Sequence, residues 1–347
     1  MSARRARDVR VLRARMSEHS LPGVRRAGEG CRICLEAWCP VGNHRSVGLD
    51  AGGASVARAS CGEQTLQLRD GRRLGFAEHG RPDGKPCFYF HGHPGSRLEA
   101  EVAHEAAARA GVRVVALDRP GYGLSDFEQG RTILSWSRDI EAVADLFGLE
   151  RFAVLGASGG GPYALACGYV LRERVSRVGL ISSIAPFHAT GVTRGMRWQN
   201  RVGFQLGARF PPLAQLVMWS MARQLHRDPE RTVDAIVAAM SPSDAEIARR
   251  PEIRQMLRAD VTEAFRQGSR GAAHDVVLLG SPWGFGLDEI TPTVLLWQGE
   301  SDVLATPAMA RHLARMIPDC RATFYPDEGH LLAFEHMPEI IRAFAAP

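Results

Sequence analysis

From Thr65 onward the chain alternates short, almost wholly apolar runs with longer stretches in which apolar positions recur at helical spacing. The runs are Cys87 to Phe90, Val112 to Leu117, Phe152 to Leu155, Val175 to Ile181 and Val294 to Trp297. A strand that is apolar on both faces must be covered on both faces, as happens in a parallel sheet sandwiched between helices. Ahead of them, Thr65 to Leu68 and Leu74 to Ala77 flank Asp70-Gly71, the pattern of two strands joined by a tight turn. The pattern predicts an α/β fold that opens with a hairpin.

Between Pro186 and Leu279 the strand alternation stops and helical signals take over. Asp228-Pro229 reads as a helix N-cap followed by proline at the first helical position, and Ser243 to Glu246 reads as a capping box. Leu213, Leu216, Val217 and Met221 recur at helical spacing, as do Ile253, Met256 and Leu257, so both sets are expected to face the core. Residues 187–279 are therefore predicted to be a helical cap inserted into a core made of 61–186 and 280–347. Residues 1–60 lack sustained periodicity and are expected to form a disordered extension. They contain Cys31, Cys34, Cys39 and His44, but no second cysteine pair at the spacing of a zinc ribbon, so no metal site is expected there.

Charge sharpens this division. Residues 1–60 hold 11 Arg against 5 acidic residues, which leaves 32 basic against 33 acidic in the rest, so the net charge of +5 belongs to the extension. A near-neutral body gives no reason to expect nucleic-acid binding, although an Arg-rich arm could contact an acidic partner. No stretch approaches the ~18 consecutive apolar residues of a membrane span, and Met1 to Ser20 lacks the apolar segment of a secretory signal. The chain is accordingly expected to be cytoplasmic, without a membrane partner. Its seven cysteines, odd in number and scattered, are expected to be reduced thiols.

The sharpest chemical signal is Gly156-Ala157-Ser158-Gly159-Gly160, directly after one apolar run and directly before an Ala-rich helical stretch. A Gly-x-Ser-x-Gly turn from strand to helix forces the serine into a strained backbone conformation and pushes its hydroxyl out over the sheet. The helix that begins there aims N–H groups and its positive end at the same spot. A serine hydroxyl needs a base, and the base needs an acid to hold its tautomer. Asp302, past the run ending at Trp297, and His330, after the last predicted strand, supply them, each at a strand's carboxyl end and so on one rim. His91-Gly92-His93-Pro94-Gly95 follows another run, and its backbone can furnish an oxyanion donor: the N–H groups of His93 and Gly159 are assigned that role. His91 and His93, two residues apart with no carboxylate cluster, do not form a metal site. Asp118 to Asp126 reads as a structural turn supporting the rim.

With these motifs in place, the chain from about Gly62 to Pro347 resembles the α/β-hydrolase superfamily, in the branch with His-Gly-x-Pro-Gly, Asp-Arg-Pro-Gly-Tyr-Gly and Gly-x-Ser-x-Gly turns and a helical cap. The resemblance implies a mostly parallel eight-stranded sheet and a catalytic triad of Ser158, Asp302 and His330. It implies a cofactor-free, metal-free serine hydrolase acting on an ester, thioester or amide of a small molecule through an acyl-enzyme. It equally accommodates a triad-bearing small-molecule receptor with little turnover. Trp198, Phe204, Met218 and Trp219 are candidates to line the substrate pocket or to form the cap's own core. Arg194, Arg197 and Arg201 would share one face of a helix, either solvated or turned into the cleft to hold an acidic substrate.

Overall fold

The structure, a computed structural model, describes residues 64–345, all within the unit Ala57–Pro347. The extension predicted over 1–60 lies outside the described residues. In chain order the strands are β1 Gln64–Gln67, β2 Arg73–Gly80, β3 Lys85–Phe90, β4 Val112–Leu117, β5 Phe152–Ala157, β6 Val175–Ile181, β7 Val294–Gly299 and β8 Cys320–Tyr325. They form one sheet in the order β1-β2-β4-β3-β5-β6-β7-β8. β1 pairs antiparallel with β2, from Gln64 opposite Phe76 to Gln67 opposite Arg73, and β2 runs antiparallel to β4. Every later pairing is parallel. The hairpin turn holds Gly71 at φ 89°, a left-handed conformation that glycine adopts freely, as Asp70-Gly71 predicts.

Because successive side chains on a strand point to opposite faces, the apolar runs feed two cores. On one face Phe88, Phe90, Val115 and Leu117 pack under α2 (Trp136–Leu146), α3 (Gly161–Val170) and α10 (Pro307–Met316). On the other, Cys87, Tyr89, Val114 and Ala116 pack under α1 (His104–Ala110) and α11 (Ala333–Ala345). This is why the central strands read as continuous apolar runs.

Between β6 and β7 stand the inserted helices: α4 (Trp198–Arg209), α5 (Pro211–Arg227), α6 (Pro229–Ala238), α7 (Pro242–Ile247), α8 (Pro251–Ala264) and α9 (Arg270–Gly280). Asp228 caps α6 by accepting from the Arg231 N–H, as predicted. The capping box of α7 is two residues earlier than predicted: Ser241 accepts from the Asp244 N–H, and Asp244 accepts from the Ser241 N–H. Pro242 starts that helix, which leaves Ser243 inside it. The apolar stripe on α5 is also corrected, since Leu213, Leu216 and Val217 are exposed rather than core-facing. Among the described residues no helix is long and apolar enough to cross a membrane. Cys87, Cys167 and Cys320 are unpaired thiols.

Candidate active site

Ser158 stands at the junction of β5 and α3, at φ 51°, a left-handed conformation for a residue that carries a Cβ. The flanking glycines make this turn feasible. A Cβ on Gly156 would lie 2.5 Å from the Gly160 carbonyl oxygen, and one on Gly160 would lie 2.1 Å from that of Phe90. Any larger residue would force β3, β5 and α3 apart.

Across the rim, His330 and Asp302 meet through a 2.7 Å bond between Nδ1 and Oδ2. The aspartate is itself fixed: Oδ1 accepts from the N–H groups of Leu304 (2.7 Å) and Ala305 (3.0 Å), and Oδ2 from Gln298 Nε2 (3.3 Å). With Nδ1–H donated to Asp302, the His330 lone pair lies on Nε2. Burial pulls the imidazole's pKa down, but the charge and hydrogen bond of Asp302 outweigh it and carry the group up to about 9. Ser182, after β6, is also left-handed at φ 44°, and its hydroxyl donates to the His330 carbonyl at 3.1 Å.

The third part of the rim is the turn after β3. Arg119, in the turn after β4, donates through its guanidinium to the carbonyls of His91 and Gly92, the latter at 2.7 Å. In a trans peptide the C=O and the following N–H point in opposite directions. Holding the Gly92 carbonyl on Arg119 therefore turns the His93 N–H away from Arg119, and among the described residues nothing accepts from that N–H. The Cβ position on Gly159 would lie 3.4 Å from the same nitrogen, so the two backbone segments assigned as donors are adjacent. His91 uses both ring nitrogens internally, Nε2 with the Arg119 N–H (3.1 Å) and Nδ1 with the Gly92 carbonyl (2.9 Å). Burial drives the pKa of His93 down to about 4, so it is neutral and donates from Nδ1 to Tyr122 Oη at 2.9 Å.

Arg119 is held in turn by Asp275 of α9, whose carboxylate accepts from Arg119 Nε, from Arg131 and from the hydroxyls of Tyr122 and Tyr163. Burial alone would push this carboxyl up, but Arg131 and Arg119 outweigh it and hold Asp275 far below the usual carboxylate range. Among the described residues, no group of three or more His, Cys, Asp or Glu side chains could hold a metal ion.

Ser158, His330, His93 and Gly159 all line one cavity of about 490 Å³. Phe204 and Met218 line it too, with Phe204 stacked on Phe187 at 4.9 Å between ring centroids. Trp198 and Trp219 do not. Trp198 is 69% exposed and Trp219 51% exposed, because on α5 a step of one residue from Met218 turns the side chain about 100° round the helix. Arg194, Arg197 and Arg201 are all exposed, and α4 begins only at Trp198, so the arginine row is a solvated face rather than a wall of the cleft. Met256 and Leu257 of α8 line the cavity, whereas Ile253 is buried under α7.

Two acidic lining residues, Glu99 and Asp260, escaped the sequence reading. Ser96-Arg97-Leu98-Glu99 has the pattern of a capping box, but here the glutamate turns back to accept from the Gly92 N–H at 2.7 Å. Asp260 is one acidic residue on a polar-rich helix and gives no signal of its own.

A sequence profile described as alpha/beta hydrolase fold matches residues 86–337. The chain is 25% identical to the AB hydrolase superfamily protein YisY of Bacillus subtilis over 262 residues, covering 74% of this chain and 89% of that protein. It superposes on a hydrolase from Pseudomonas aeruginosa with a TM-score of 0.63 at 18% identity, covering 83% of this chain and 100% of that one. A thermophilic esterase from Thermogutta terrifontis gives a TM-score of 0.61 at 21% identity, covering 81% and 96%. At these identities the solved structures speak to the fold alone. With the profile running from β3 into α11, across every turn that forms the rim, the chain belongs to the α/β-hydrolase fold family.

Proposed function

We propose that the protein is a serine hydrolase that cleaves an ester, thioester or amide of a small molecule through an acyl-enzyme intermediate, with no cofactor. Family membership supports a hydrolase. The observation that carries the serine mechanism is the left-handed Ser158 on the same cavity as a His330 whose Nδ1 is fully engaged by Asp302. Ser158 Oγ attacks the carbonyl carbon while His330 Nε2 takes its proton. The oxyanion that forms accepts hydrogen bonds from the N–H groups of His93 and Gly159. Collapse expels the alcohol, thiol or amine, protonated by His330, and leaves the acyl group on Ser158. Water activated by the same imidazole then releases the acid. The inserted helices act as the cap over this chemistry. Turnover of a panel of p-nitrophenyl esters of increasing acyl length tests the reading, and no turnover above the spontaneous rate on any member would overturn it.

The base must be neutral to accept a proton, so kcat/KM for an uncharged ester is expected to rise with pH through about 9, where His330 titrates. Stability from the ion pair runs the other way. It is complete below the ordinary histidine pKa of about 6.5 and fades as pH climbs through the folded value. Asp302→Asn removes the charge that raises the imidazole, so the inflection of the pH–rate profile should move to lower pH. An inflection that stays in place would assign the titration to another group.

Arg197, exposed and bonded through its guanidinium to the Met240 carbonyl, does not face the substrate. Arg197→Ala is expected to leave the ratio of KM values for acidic and neutral esters unchanged. A selective rise for the acidic ester would put the arginine row back at the cleft.

A further inference from the structure

Apart from His330, which is paired with Asp302, the charged groups that face the cavity are negative. Among the described residues no Arg or Lys lines it, whereas Glu99 and Asp260 both do. Three other buried aspartates hold arginines: Asp118 pairs with Arg97, Asp139 with Arg72, and Asp275 with Arg119 and Arg131. Among the described residues Glu99 accepts from the Tyr89 hydroxyl on Oε1 and from the Gly92 N–H on Oε2, each at 2.7 Å. Among the described residues Asp260, 6% exposed, is bonded by Ser96 alone, whose N–H and hydroxyl both donate to Oδ1 at 2.8 and 2.7 Å.

That leaves Asp260 Oδ2. In the other buried aspartates among the described residues (Asp118, Asp139, Asp244, Asp275 and Asp302) both oxygens accept a hydrogen bond. Among the described residues Asp260 Oδ2 accepts none, and it converges with Glu99 on one spot. The point that a Cβ on Gly95 would occupy lies 2.9 Å from Glu99 Oε2 and 3.3 Å from Asp260 Oδ2. The nucleophile is close by, since the corresponding point on Gly92 lies 3.1 Å from Glu99 Oε2 and 3.5 Å from Ser158 Cβ. Burial, and for Asp260 also the nearness of Glu99, pushes both carboxyls upward. A buried acid beside a half-buried one, with an oxygen that accepts no hydrogen bond among the described residues, is matched by a ligand that brings a charged N–H.

We propose that Glu99 and Asp260 form a subsite for a primary or secondary ammonium group of the substrate, seated a few bonds from the carbonyl that Ser158 attacks. The subsite deepens the serine-hydrolase reading of the same cavity and rests on it for the position of that carbonyl. The requirement for an N–H follows from Oδ2, which a quaternary ammonium could not serve with a donor. Substrates carrying a carboxylate at this position are disfavoured by the same two groups.

The test compares the p-nitrophenyl ester of L-alanine with p-nitrophenyl isobutyrate, which has a methyl where alanine has its ammonium group. After subtraction of the spontaneous rate, kcat/KM for the alanyl ester should exceed that for the isobutyryl ester at least tenfold. Asp260→Asn keeps an oxygen for Ser96 and should cut that ratio at least tenfold, chiefly through KM, and Glu99→Gln should cut it as well. A wild-type ratio of one or less, or a ratio that neither substitution changes, overturns the subsite. Calorimetric titration of isopropylammonium chloride into Ser158→Ala protein, with and without Asp260→Asn, reads binding without turnover. Saturable binding that depends on Asp260 in a protein that hydrolyses neither ester would retain the subsite and remove the hydrolase. Equal turnover of both esters with no ammonium binding would do the reverse.

Discussion

Ser158→Ala should lower ester turnover by on the order of 10⁴-fold or more while leaving the fold intact. The hydroxyl contributes chemistry and little packing: the side chain is half-buried at the cavity edge, and the turn is shaped by the glycines at 156 and 160. Alanine at this left-handed position keeps the same strain as serine, so the unfolding midpoint should move little. His330→Ala should be as damaging, because nucleophile and base act as a unit, whereas Asp302→Asn should keep more activity. Rates are read with an uncharged p-nitrophenyl ester and the nucleophile with a fluorophosphonate probe. Labelling that survives Ser158→Ala would remove this serine from the mechanism.

Asp275→Ala should destabilise the protein by about 3–5 kcal/mol, read as a lowered midpoint in urea or guanidinium unfolding. The reason is the fate of its partners. Arg119 and Arg131 are essentially buried, and without the carboxylate they become uncompensated charges in the interior. The hydroxyls of Tyr122 and Tyr163 lose an acceptor at the same time. Activity in the surviving folded fraction should fall too, since Arg119 is what aims the Gly92 carbonyl. A loss below about 1 kcal/mol would mean that solvent reaches the two guanidinium groups, because exposed ion pairs are worth that little.

The sheet was readable because burial on both faces leaves its trace in every central strand: β4 and β6 begin and end at the residues the apolar runs predict, while β3, β5 and β7 run two residues beyond them. Ser158, Asp302 and His330 were readable because each follows a strand, where chain order fixes position on the rim. The inserted helices were harder. An apolar stripe on a helix says only that it avoids water, and here two environments answer to that description. Ile253 turns to a core, whereas Met256, Leu257 and Val217 turn to the cavity. Nothing in the spacing separates them, and nothing in it shows that Trp198 and Trp219 face solvent instead of either. Glu99 and Asp260 were invisible for a different reason. They come together only in the fold, one from the stretch after β3 and one from α8, and that meeting leaves no mark on a sequence.

One arrangement bears on how this protein could have diversified. Three aspartates from the inserted helices each grip a different piece of the rim that carries Ser158 and His330. Asp244 accepts from the Leu331 N–H next to His330, Asp260 from Ser96 beyond the His93 turn, and Asp275 from Arg119 beneath that turn. In a modular enzyme, the segment that chooses the substrate can be exchanged while the chemistry stays put. On the proposed serine-hydrolase reading, specificity and chemistry share a scaffold here, so a foreign segment grafted between β6 and β7 would have to bring acids to all three grips. On that reading, change is steered toward α4 and the first half of α5, which contribute none of these grips and whose apolar side chains are already partly free of packing.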